Sequence, residues 1–150
     1  MKNVSKSLLT VALMAVARVA FAHTQGGALG KTTTSTAASD VYLVSCYDDG
    51  QGAGTPTKLY LHVKGSGIAT LPKINIQATR LGAVVTSTVA ANNNVYSAAV
   101  TLVKGEGDYG LYINKPASTV KGVVNYTAEF HCQSASGGHA GTDWYMTQNQ

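Results

Sequence analysis

Four histidines, two cysteines and seven acidic side chains are the groups of this 150-residue chain best suited to chemistry, and one of them holds a special position. His23 directly follows Ala20-Phe21-Ala22, which places small residues at the −3 and −1 positions that signal peptidase reads. Cleavage after Ala22 would make His23 the first residue. Its α-amino nitrogen and Nδ1 would then chelate one copper ion in a six-membered ring, and a second imidazole would complete a T-shaped set of three nitrogens suited to Cu(II). His62, His131 and His139 are the candidate partners. A thioether-rich Cu(I) site is disfavoured, because Met146 is the sole methionine after the cleavage point.

Other chemistries find less support. Cys46 and Cys132 form no CxxC and have no third thiol, so in an oxidising compartment they read as one disulfide between an early and a late strand. Asp48 and Asp49 are adjacent in a Gly-rich stretch, where acids start turns more often than they share a sugar substrate. Together with Asp108 they lack the spacing of an EF-hand. No serine sits in Gly-x-Ser-x-Gly, and no Gly-rich loop opens a helix to cradle phosphate. Trp144 and Tyr145 are the candidates for stacking on a sugar ring, against the alternative that aromatics here fill or edge the core.

The elements that must position these groups are strands. Lys58–Lys64 alternates strictly, with Leu59, Leu61 and Val63 on one face and Tyr60, His62 and Lys64 on the other. Further candidates are 41–46, 73–80, 83–89, 95–103, 108–114, 123–132 and 142–147, separated by Gly and Asn turns. If Cys132 points inward to meet Cys46, alternation sends His131 outward, and His62 also lies on the non-core face of its strand. His139 falls in the loop Ser136-Gly137-Gly138-His139-Ala140-Gly141. No helix is predicted beyond the N-terminal segment. The fold class expected is all-β, an antiparallel β-sandwich of Greek-key or jelly-roll type with one disulfide.

Residues 1–22 read as a secretory signal: Lys2 and Lys6, an apolar run from Leu8 to Ala17, then the cleavage site. That run is too short to span a bilayer, and no later segment approaches the required length. Residues 23–39, rich in Gly, Thr and Ser, are expected to be a flexible arm, and 40–150 the sandwich. The net charge of +4 is mostly the signal's. Removing Lys2, Lys6 and Arg18 leaves eight scattered bases against seven acids, which gives no clustered Lys/Arg patch for nucleic acid.

Two resemblances add to this reading. Asp40-Val41-Tyr42, Gly107-Asp108-Tyr109-Gly110-Leu111-Tyr112-Ile113 and Asn125-Tyr126-Thr127-Ala128-Glu129-Phe130 resemble the strands of bacterial prepeptidase C-terminal domains, small exported β-sandwiches. That resemblance implies an accessory module with no catalytic residues to carry over. A mature N-terminal His23 resembles the histidine brace of polysaccharide monooxygenases and the copper site of CopC-type periplasmic carriers. It implies copper held by His23 with His131, His62 or His139. The combined expectation is a secreted or periplasmic bacterial binding module, non-catalytic, with a metal ion or a surface glycan as partner. The alternative is a structural or adhesive filament subunit that self-associates through residues 23–39, of which the Thr-rich stretch Lys31 to Ser39 would add as a strand to a neighbour's sheet edge.

Overall fold

The computed structural model describes residues 23–30, 36–66, 73–92, 94–119 and 121–150. The signal segment 1–22 and residues 31–35 of the expected arm lie outside them. Nine strands are formed among the described residues: β1 (His23–Leu29), β2 (Ala38–Tyr47), β3 (Pro56–Ser66), β4 (Lys73–Arg80), β5 (Ala83–Ala90), β6 (Val100–Leu102), β7 (Gly107–Lys115), β8 (Val124–Ser134) and β9 (Gly141–Gln148). They build two antiparallel sheets, one ordered β1-β8-β3-β6 and the other β5-β4-β7-β2-β9. No helix among the described residues is long and apolar enough to cross a membrane.

The pairing is nested. β1 pairs with β8, β2 with β7, β3 with β6 and β4 with β5. Rolling up such a nested ladder gives the jelly-roll form of the sandwich, here with β9 added beside β2. The innermost hairpin, β4 to β5, turns on Leu81 and Gly82, both at positive φ, as a two-residue hairpin turn requires. The nested order has a functional consequence: it brings the start of β1, the end of β2 and the end of β8 to one end of the molecule.

Alternation sets the core. Along β2, Tyr42, Val44 and Cys46 are buried, facing Leu59, Leu61 and Val63 of β3 and Tyr126, Ala128, Phe130 and Cys132 of β8 across the sandwich. Cys46 and Cys132 are joined, with Cα atoms 5.5 Å apart across a separation of 86 residues. Closing a loop of that length restricts the unfolded chain by roughly 4 to 5 kcal/mol in the chain-entropy account.

A second tie between the sheets is polar. The Tyr126 hydroxyl donates to Asp40 Oδ2 at 2.6 Å. Its single proton is thereby used, so the Tyr42 hydroxyl, 2.5 Å away, donates to Tyr126. Asp40 Oδ1 accepts the Gln150 backbone N–H at 2.9 Å, which secures the C-terminus. Burial, then these hydrogen bonds, push the Tyr126 phenol far above its ordinary range. The cluster is fully partnered and packs against backbone at Gly27, where a Cβ would stand 2.3 Å from the Tyr126 hydroxyl.

Two segments differ from the sequence reading. Residues 23–29 are strand rather than flexible arm: as the edge of their sheet they pair along one side with β8, and Leu29 is wholly buried beside Val124. Small residues there reflect close packing on Tyr126, a constraint that resembles spacer composition in one dimension. The expected strand 95–103 is reduced to Val100–Leu102. Ser97 occupies the preceding edge of β3 instead, with its hydroxyl taking the Val63 N–H at 3.1 Å and its own N–H donating to the Val63 carbonyl.

Candidate metal-binding site

The end of the sandwich nearest the disulfide carries a cavity of about 280 Å³, lined by His23, Tyr47, Asp49, His131, His139 and the run Ala140–Thr142. Each element arrives there for a local reason. His23 opens β1 opposite Phe130 of β8. Tyr47 and His131 are sequence neighbours of the two bridged cysteines, so the disulfide fixes the separation of the strands that carry them. His139 is placed by a β-bridge to Gln133 and by the Ala140 N–H donating to the Cys132 carbonyl. Gly141 lets the wall close: a Cβ at that position would meet the Tyr47 ring at 2.6 Å and its carbonyl at 2.8 Å.

Three of the four candidate histidines therefore share one cavity. His131 and His139 stack, their ring centroids 4.0 Å apart and their planes 12° from parallel. The Nδ1 atoms of both rings are buried without a hydrogen-bond partner. Nε2 of His131 accepts a hydrogen bond from the side-chain amide nitrogen of Gln133 at 2.9 Å. Burial, reinforced by the neighbouring His139, lowers the His131 pKa to about 4, so this ring is neutral at neutral pH and needs to lose no proton to become a ligand.

His62 is elsewhere. Its Nε2 lies 3.0 Å from Glu129 Oε2, and its ring stacks on Tyr96 at 4.1 Å. Tyr60 links it to the cavity, stacking on His131 at 4.6 Å and meeting His62 edge-on at 5.3 Å. Five rings thus run across the outer face of the β3 and β8 pair, with Lys64 over the last, Tyr96. Burial and the facing Glu129 raise the phenols of Tyr60 and Tyr96.

As the side chains stand, no set of three or more His, Cys, Asp or Glu among the described residues is arranged to hold a metal ion. The stack explains this. Parallel rings direct their in-plane lone pairs along parallel lines, whereas a metal lies in the plane of each ring about 2 Å from nitrogen. For one cation to meet both rings in plane, one of the two would have to turn out of the stack.

Trp144 and Tyr145 do not form one stacking surface. Trp144 pairs across β2 with Val44 and packs edge-on to Tyr42 at 5.7 Å and Phe130 at 6.0 Å, facing the core, while Tyr145 points outward and is exposed. Neighbours on a strand face opposite ways, and the sequence already carried that signal. Sequence reasoning does not mark Tyr47 at the cavity, and it reads Asp49 as a turn acid beside Asp48 rather than as a neighbour of the histidines. Asp49 accepts the Gln51 N–H at 2.9 Å as a turn former while also reaching the cavity wall.

Compared with known proteins, the chain matches no family model, no curated protein and no solved structure.

Proposed function

We propose that this chain is an exported, non-catalytic module that binds a transition metal ion, Cu(II) in the first instance, through His23, His131 and His139. The observation that carries the reading is that these three histidines line one cavity while two of them bury an Nδ1 with no partner. Buried polar atoms without partners are uncommon in folded proteins, and an absent ion is one of their ordinary explanations. Imidazole nitrogens suit copper, nickel and zinc, and an N-terminal amine at His23 would favour the tetragonal geometry of Cu(II). Asp49 and Tyr47 supply oxygen donors at the rim. The bridged cysteines suit an oxidising compartment, consistent with export.

His62 is excluded from this set because Glu129 and Tyr96 engage it. A glycan platform built on Trp144 is disfavoured by the inward packing of that ring. The filament reading is disfavoured where its donor stretch is described, since Ala38 and Ser39 already pair with β7 of their own chain; residues 31–35 lie outside the described residues.

Isothermal titration of Cu(II) into the exported chain tests the proposal. Sub-micromolar binding, weakened at least tenfold both by His139→Ala and by one extra residue placed before His23, is expected. Micromolar or weaker binding that neither change affects would overturn it.

A further inference from the structure

We propose that this chain pairs with a second copy of itself through β5, edge to edge and antiparallel about a two-fold axis at Thr86, so that the two five-stranded sheets join into one. The proposal is independent of the metal-binding reading, since no β5 residue lines the histidine cavity. β5 closes one side of its sheet and pairs only with β4. The hairpin that joins them decides which of its backbone groups stay open. Leu81 and Gly82 form a two-residue turn at positive φ, so Arg80 and Ala83 are the hydrogen-bonded closing pair. Bonded and non-bonded pairs alternate from there, and Ala83, Val85, Ser87 and Val89 bond to β4. Val84, Thr86, Thr88 and Ala90 therefore direct their N–H and C=O groups away from the sheet. All four residues are exposed, and no backbone hydrogen bond to another element engages them among the described residues.

Open edges are normally guarded by charge, proline, a bulge or brevity. β6 is three residues long, β9 carries Asp143, and the end of β1 is tied to the end of β9 where the Gly30 N–H donates to the Gln150 carbonyl at 2.8 Å. β5 has no such guard: its eight residues include no charge and no proline, and its register with β4 is unbroken. From Leu81 to Val103 the chain has no charged side chain at all. That run holds four of the six exposed large apolar side chains among the described residues, Leu81, Val84, Val95 and Val103.

The parity of the strand selects a second copy as the occupant. Facing residues of an antiparallel pair point to the same side of the sheet, and they exchange hydrogen bonds only where both direct their backbone groups outward. Self-pairing centred on Thr86 meets both conditions. Thr86 then faces the partner's Thr86, Val84 faces the partner's Thr88, and each pair exchanges both of its N–H···O bonds. β-Branched side chains stand opposite one another on the outer face, a favourable cross-strand arrangement. A foreign strand would draw its specificity from pockets or charge, and the short uncharged side chains of this edge supply neither. Residues 23–150 carry eight bases against seven acids, so two copies meet with little long-range repulsion. The contact is narrow, which places it among weak, reversible interfaces.

Sedimentation velocity of the metal-free exported chain, at concentrations up to about 100 μM, tests the pairing. A monomer–dimer equilibrium is expected. Thr86→Lys and Thr86→Glu each set like charges against one another at the axis and should each weaken the dimer about tenfold or more. An equimolar mixture of the two, in which unlike charges meet, should recover it to within about threefold of wild type. Val84→Lys, one pair from the axis, should weaken it too, whereas Tyr145→Lys, an exposed change on the far strand of the same sheet, should leave it unaltered. Near-ultraviolet circular dichroism identifies any variant that has lost its packing. A chain that stays monomeric throughout the range, or that assembles beyond the dimer, would overturn the proposal. So would a mixture no stronger than its components, or a Tyr145→Lys variant as weak as Thr86→Lys. Metal affinity enters none of these readings, so either proposal can fail alone.

Discussion

Two polar clusters hang on the same strand, β8, and they are built to opposite rules. On its inner face Tyr126 joins Tyr42, Asp40 and the Gln150 backbone in a chain of hydrogen bonds that uses the phenolic protons and both carboxyl oxygens. On its outer face His131 stacks between Tyr60 and His139, and both histidines leave a buried nitrogen unpartnered. A saturated network buried between two sheets holds them together, and nothing remains to offer a ligand. An unsaturated one costs stability that a bound ion would return. Satisfaction of polar atoms, more than residue type, distinguishes the two clusters, and on the proposed reading it is what leaves the second one open to a ligand.

The comparison can be broken most forcefully at the disulfide, which supports both clusters. Replacing Cys46 and Cys132 by serine should lower stability by roughly 2 to 5 kcal/mol in urea unfolding. Copper affinity should fall with it, because Tyr47 and His131 adjoin the bridge. Removing the centre of the saturated cluster comes next. Asp40→Ala leaves the Tyr126 hydroxyl and the Gln150 N–H without their acceptor, and should cost about 3 kcal/mol with copper affinity little changed per folded molecule.

Acid separates the clusters without mutation. Folding lowers the His131 pKa from its ordinary value of 6.5 to about 4, through burial first and then the adjacent His139, with His62 and His23 adding to the effect and Glu129 opposing it. As pH falls below 6.5 the unfolded chain takes up this proton before the folded chain does. Stability is therefore full above about 6.5 and drains as pH falls toward 4, by up to about 3 kcal/mol. His131→Phe should remove that slope in thermal melts across this range. The same substitution gives the smallest effect on folding at neutral pH, within about 1 kcal/mol of wild type, since it keeps a stacking ring and deletes the unpartnered nitrogen. It should nevertheless abolish the rise in melting temperature that saturating Cu(II) gives the wild type, a stabilisation of about 2.7 kcal/mol at a hundredfold excess over Kd.

Much of the fold was legible in one dimension because strand alternation is a local property. The run Leu59, Leu61, Val63 faces the core as its period demands, and the outward direction of His131 followed from Cys132 pointing in. The cysteine pair was legible from its count alone. The strand at 23–29 was not: its two glycines and single large apolar residue resemble a spacer until Tyr126 is seen lying over Gly27. Nor was the loss of strand at 95–99, where a serine side chain replaces a ladder hydrogen bond. At the site, the histidines could be named from sequence, but Tyr47 had no chemical spacing to mark it, and Asp49 read only as a turn acid until the fold set it beside them.

The sequence by itself determined the class of fold, the bridged cysteines and the side chains capable of holding a metal, because composition and alternation act within a few residues of chain. Tertiary structure alone decided which of those side chains meet. The nested pairing of β1 with β8 and β2 with β7 carries His23, His131 and His139 from three parts of the chain to one cavity and leaves His62 with Glu129. It also decided which nitrogens go without partners, since that depends on every group packed around them, and no stretch of sequence contains its own neighbours.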